Sequence, residues 1–151
     1  MKKIKIAFHT LGCKLNYSET SFISQTFDKN RFEEVDFKTN ANIFVINTCT
    51  VTAVAEKKCR NVARMIKKRN PESKVVFMGC YSELKSNEIK EIPEVDLIIG
   101  SSNKYKLPEF IDSLVNNHQN EKIHVDIASK NSFYSSWSQG ERTRSFLKIQ
   151  D

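Results

Sequence analysis

The chain has 151 residues, 39% apolar and 28% charged, enough for one compact domain plus an appendage and too few for two full-sized domains. Four glycines and three prolines exclude collagen-like and low-complexity architectures. Four cysteines are too sparse for a disulfide scaffold, and no apolar run approaches the roughly 18 residues of a membrane span. The net charge of +6 resides in one segment: residues 53–70 hold seven Lys/Arg against a single acid, Glu56, and the remainder is balanced. Such a stripe either meets nucleic-acid phosphates or is a solvated helix face.

Ile4 to Phe8 is a short β-branched run and predicts the first strand. Thr10-Leu-Gly-Cys13 looks like a lipoprotein cleavage site, but Lys5 and His9 interrupt the apolar stretch that a signal peptide needs. The expected setting is therefore the cytoplasm, with reduced thiols and no membrane. Phe22, Ile23 and Phe27 follow at helical spacing, with Ser18 as the expected N-cap. Glu33 to Phe37 alternates like an edge strand, and Ile43 to Ile46 is continuously apolar, as in a strand covered on both faces. Val51, Ala55, Cys59, Val62 and Ile66 line one face of the next helix, the basic residues take the other, and Asn70-Pro71 closes it. Lys74 to Met78 predicts a buried strand, Leu84 to Ile92 a weaker helix and Leu97 to Ile99 a fifth strand. Leu107, Phe110, Ile111, Leu114 and Val115 mark a last amphipathic helix, with Pro108 in its first turn.

Strands alternating with helices imply right-handed crossovers. The fold expected is α/β: a doubly wound, mainly parallel five-stranded flavodoxin-like sheet, order 2-1-3-4-5, with helices on both faces. From Asn116 the chain turns polar. Ile123 to Ile127 can add one more strand, and Ser129 to Gln139 is Ser-rich without helical period. Residues 2–117 thus form the domain, and 118–151 a C-terminal extension.

Functional groups of doubly wound sheets gather past the carboxyl ends of the strands. Cys13 follows the first strand, Cys49 the third and Cys80 the fourth, so three loop cysteines share one edge. Strands 1, 3 and 4 are neighbours in the expected order, about 4.8 Å apart. Three thiolates so arranged suit soft metals, iron–sulfur clusters or zinc, and a four-iron cluster would keep one iron without a protein ligand. Gly12 and Gly79 would let the backbone approach a bulky group. The same placement also fits three reduced thiols with no ligand, and the residues alone leave both readings open. Cys59 lies on the apolar helix face and reads as core. His9 is a conceivable fourth ligand but more often such a residue is a satisfied strand histidine. No catalytic Ser/His/Asp set, paired carboxylates or phosphate-binding glycine loop stands out, so no catalytic residue is assigned.

Three motifs carry a family resemblance: Thr10-Leu-Gly-Cys-Lys-Leu-Asn16 with Ser18-Glu19, Asn47-Thr-Cys-Thr-Val51, and Gly79-Cys-Tyr-Ser-Glu83. With Asp96-Leu-Ile-Ile-Gly100, they make the chain resemble, over about residues 2–117, the N-terminal domain of the radical-SAM methylthiotransferase family. The resemblance implies that Cys13, Cys49 and Cys80 hold an auxiliary [4Fe–4S] cluster with one open iron. Gly12, Asn16, Asn47, Thr48 and Gly79 are candidates for its surroundings. It further implies sulfur delivery to a tRNA substrate, with S-adenosylmethionine and a second [4Fe–4S] cluster bound by a radical-SAM domain. Arg142 to Asp151 resembles the segment entering that domain, whose C-x3-C-x2-C motif this sequence lacks. This 151-residue chain is therefore expected to be inactive alone and to belong to an enzyme about threefold longer. Lys14-Leu15-Asn16 resembles the branch that methylthiolates N6-threonylcarbamoyladenosine beside the anticodon. The isopentenyladenosine branch and the ribosomal-protein aspartate branch more often carry Gln-Met-Asn and Pro-Lys-Asn there. A non-catalytic RNA-binding module and a redox or zinc module of the same fold are the alternatives.

Overall fold

The computed structural model describes residues 2–11, 14–48, 53–79, 82, 85–100 and 105–116, with three further strand segments at 123–125, 136–137 and 147–148. Its centre is a parallel sheet. Strand β1 (Ile4–Thr10) lies between β2 (Phe32–Glu34) and β3 (Ile43–Thr48). β4 (Lys74–Gly79), β5 (Leu97–Ile99) and β6 (Ile123–Val125) follow outward. Five strands take the expected order 2-1-3-4-5, and β6 joins as a sixth, parallel to β5. A short antiparallel pair, β7 (Ser136–Trp137) and β8 (Leu147–Lys148), packs against the first helix, α1 (Lys14–Gln25).

The central strands are apolar on both sides because both faces are covered. All six residues of β3 are buried, and alternate ones feed two separate cores. Ile43 and Val45 join Ile6, Val76 and Met78 under α1 and the last helix, α4 (Leu107–Asn116). Phe44 and Ile46 join Ala7, Val75 and Phe77 under α2 (Ala53–Arg69) and the short α3 (Ser86–Lys90). No helix of the described residues is long and apolar enough to cross a membrane.

Several local expectations shift. Helix α1 begins at Lys14, so Ser18 is not its cap but an interior residue, 1% exposed. β2 spans Phe32–Glu34 rather than Glu33 to Phe37. Asp36 ends the extended run: its carboxylate accepts the Lys38 N–H at 2.8 Å and its carbonyl the Thr39 N–H at 2.9 Å. That turn frees Phe37 to pack on the α2 side of the sheet. The buried side of α2 is Glu56, Cys59, Ala63 and Ile66, with Val62 only partly covered and Val51 outside the described residues. Of the weak helix expected over Leu84 to Ile92, Ser86–Lys90 is helical, Leu84 lies outside the described residues, and Ile89 and Ile92 reach the core.

Candidate metal centre at the carboxyl edge of the sheet

The apolar run of β3 stops two residues before its end. Ile43-Phe-Val-Ile46 gives way to Asn47-Thr48, both still buried. Polar side chains enclosed in a sheet edge need partners, and here they find them across neighbouring elements. In the parallel register Thr10 pairs with Asn47 and Thr48 with Gly79, so three strand ends lie side by side. The strand alternation sends Thr10 and Asn47 toward α1. There the Thr20 hydroxyl accepts from Thr10 Oγ1 at 2.8 Å and from Asn47 Nδ2 at 3.1 Å. The Leu11 N–H donates to the Asn47 carbonyl at 2.9 Å, carrying the β1–β3 pairing one residue past β1.

Thr48 points to the opposite face. Its hydroxyl donates to the Met78 carbonyl at 2.8 Å and lies 3.4 Å from Ser82 Oγ, joining the end of β3 to the chain beyond β4. On the α1 side Ser18, Glu19 and Thr20 are buried, and Tyr105 OH lies 3.4 Å from Glu19 Oε1. The result is a polar floor at the carboxyl ends of β1, β3 and β4.

Gly79 closes β4 with φ +106°, a conformation L side chains rarely adopt. A Cβ there would stand 2.6 Å from Asn47 Oδ1 and 2.7 Å from the Thr48 carbonyl oxygen. The absent side chain is thus a spatial requirement of the floor.

A second link ties the far ends of the loops after β3 and β4. Glu56, in the first turn of α2, is buried and pairs with Lys85 at 3.0 Å; Lys85 also lies 3.8 Å from Glu88.

Cys13, Cys49 and Cys80 lie outside the described residues, as does Gly12, and Asn16 falls in the first turn of α1. Asn47, Thr48 and Gly79 come together as adjacent strand ends. Cys49 is the residue after Thr48, and Cys80 the residue after Gly79. Cys59 is fully buried among Ala63, Ile66 and Phe77, as expected of core. His9 faces the α2 side and stacks on Phe37, ring centroids 4.3 Å apart, and burial lowers its pKa below 6.5. That stacking gives His9 a packing role on the sheet face. Among the described residues, no three His, Cys, Asp or Glu side chains form a metal-binding group.

Sequence reasoning passed over Thr10, Thr20, Ser82 and the Glu56–Lys85 pair. Glu56 was accessible to it: three residues before Cys59, it sits on the same helix face. Thr20 had no local signal, because its partners are 10 and 27 residues away.

A family model described as "Uncharacterized protein family UPF0004" matches residues 5–100. A threonylcarbamoyladenosine tRNA methylthiotransferase MtaB of Bacillus subtilis is 38% identical over 155 residues, covering 97% of this chain and 33% of the relative. An MtaB of Aquifex aeolicus is 31% identical, over 98% of this chain and 37% of the relative. A tRNA-2-methylthio-N(6)-dimethylallyladenosine synthase of Pelagibacter ubique is 31% identical, over 97% and 34% respectively. The chain thus spans about a third of the length of these curated relatives.

Proposed function

Because this chain belongs to the uncharacterized protein family UPF0004, and its relatives are tRNA methylthiotransferases, we propose that it is the auxiliary-cluster domain of such an enzyme. In this reading Cys13, Cys49 and Cys80 hold a [4Fe–4S] cluster by three thiolates, leaving one iron open. The observation that carries it is the common edge: β1, β3 and β4 end side by side, and each cysteine follows one of these strands within three residues.

The surroundings fit a bulky, soft, anionic group. Three thiolates are the donor set iron–sulfur clusters use. The bare Cα of Gly79 keeps the floor low where a Cβ would collide with Asn47 and Thr48. When bound, such a cluster supplies sulfur from its open iron. The protein's own residues hold and orient. Thr20 locks β1 to β3, Thr48 locks β3 to the chain after β4, and Glu56–Lys85 ties the two loop ends.

The substrate proposed is N6-threonylcarbamoyladenosine beside the anticodon of a tRNA. The identity of 38% to the Bacillus subtilis MtaB supports that branch, as does Lys14-Leu15-Asn16. The S-adenosylmethionine chemistry is assigned to a radical-SAM domain outside this chain, and a tRNA substrate implies a cytoplasmic setting.

Anaerobic reconstitution with iron and sulfide tests the reading, followed by metal and sulfide analysis and Mössbauer spectroscopy. Wild type should take up about four irons and four sulfides per chain. Cys13→Ala, Cys49→Ala and Cys80→Ala should each lose the four-iron signature, and Cys59→Ala should keep it. Folded wild type that takes up zinc in place of iron, or neither, overturns the proposal. So does a cluster that survives in all three loop variants.

A further inference from the structure

We infer that the outward face of α2 is a docking surface for the phosphate backbone of a structured RNA; the inference deepens the tRNA reading above and rests on it. Four exposed cations lie on this side of the helix, Lys57, Lys58, Arg64 and Lys68, with half-buried Arg60 at its flank as a fifth. None of the five joins an ion pair among the described residues. The helix's own acid and Asp96, which packs against it, are already engaged. Glu56 turns inward to Lys85, and Asp96 holds Lys67 at 2.9 Å. Arg69 is held by the Phe37 carbonyl at 2.8 Å.

Helix stability does not account for the pattern. Cations favour the last turn of a helix, which explains Lys67, Lys68 and Arg69, but Lys57, Lys58, Arg60 and Arg64 stand outside that turn and gain nothing from it. Lys57, Arg60, Arg64 and Lys68 recur at steps of three and four, so like charges face one another along the axis. A row that works against its own helix is better explained by an external polyanion.

A second observation points to the same face. The exposed large hydrophobics among the described residues are Val54 and Met65, at 64% and 47%, and both belong to α2. Two scattered apolar side chains are too few to insert into a membrane, but they suit contacts to sugars or an unstacked base between phosphate contacts. From Lys57 to Lys68 the row spans about 16 Å. Since α2 starts five residues past Thr48, an RNA strand laid along it leads to the edge that carries the cysteine loops.

The test is fluorescence anisotropy of a labelled RNA hairpin, titrated with the 151-residue chain across a range of potassium chloride concentrations. Wild type should show an affinity that falls with salt. Lys57→Gln/Lys58→Gln/Arg64→Gln/Lys68→Gln should weaken binding at least ~10-fold and flatten the slope of log K against log[salt] by about 2 to 3. The control Lys2→Gln/Lys3→Gln/Lys29→Gln/Lys38→Gln removes equal charge from exposed sites elsewhere and should keep wild-type affinity within about threefold. Equal loss in both variants overturns the inference, as does competition by polyglutamate, or binding to anionic vesicles, as strong as that of RNA. Circular dichroism checks folding, and iron uptake is measured on the same samples. A four-helix-residue variant that takes up iron while wild type binds no RNA refutes the α2 surface alone. RNA binding that depends on α2 without iron uptake in wild type refutes the cluster alone.

Discussion

Replacing Gly79 by alanine probes the floor of the candidate centre with one methyl group. The added Cβ meets Asn47 Oδ1 at 2.6 Å and the Thr48 carbonyl oxygen at 2.7 Å. Neither neighbour yields easily. Thr48 pairs with Gly79 and donates its hydroxyl to the Met78 carbonyl, and Asn47 pairs with Thr10 and donates to Thr20. Overpacking of this kind costs about 1–3 kcal/mol. Holding an L residue at φ +106° adds about 1–3 kcal/mol. Against this, alanine lowers the entropy of the unfolded chain and returns about 0.4–1 kcal/mol. The expected net loss is about 3 kcal/mol, a large share of a typical domain's 5–15 kcal/mol. Urea denaturation reads it as a lowered midpoint at constant slope. Adding Asn47→Ala removes one of the two close neighbours, so the double variant should lose about 1 kcal/mol less than the two single losses combined. A loss below about 1 kcal/mol for Gly79→Ala would refute the reasoning, because the strand end would then be relaxing without cost.

Two further perturbations test the packing around the sheet. Asp96 accepts both Lys67 Nζ and the Val75 N–H at 2.8 Å, so Asp96→Ala should cost about 2 kcal/mol by urea denaturation, whereas Asp112→Ala, which loses only the exposed pair with Arg31, should cost less than about 1 kcal/mol. Equal losses would contradict that ranking. The folded-state pKa of His9 lies below 6.5, so the unfolded chain takes the proton first on acidification. The contribution of neutral His9 is complete above about pH 6.5 and is lost as pH falls through the folded value. His9→Phe keeps the stack on Phe37 and removes that component. Stability of the variant should fall less than wild type between about pH 7.5 and 5, and parallel curves would rule the explanation out.

The strands were legible where physics leaves little choice. A run such as Ile43-Phe-Val-Ile46 must be covered on both faces, and that requirement alone points to a parallel sheet between helix layers. The start of α1 was not. Lys14-Leu-Asn-Tyr17 carries no capping signal, while Ser18 four residues on looks like one, and only the tertiary fold shows that its hydroxyl side is interior. The common edge of the three strands followed from the order of elements. The polar floor did not, because Thr10, Thr20 and Asn47 meet across separations that no local pattern records. Glu56 was counted among surface charges, although its helical phase with Cys59 already placed it inside.

The Glu56–Lys85 pair makes the two loops parts of one closed circuit. The chain leaves the sheet at the paired residues Thr48 and Gly79 and is rejoined by a salt bridge, a ring of about sixteen residues. Closing such a ring from free chain costs roughly 2 kcal/mol of entropy. Here folding of the sheet and α2 meets that cost. Under the proposed cluster reading, Cys49 and Cys80 would each stand on a stretch whose two ends this framework already holds. A framework closed by the chain's own residues needs no bound group to hold its two ends together.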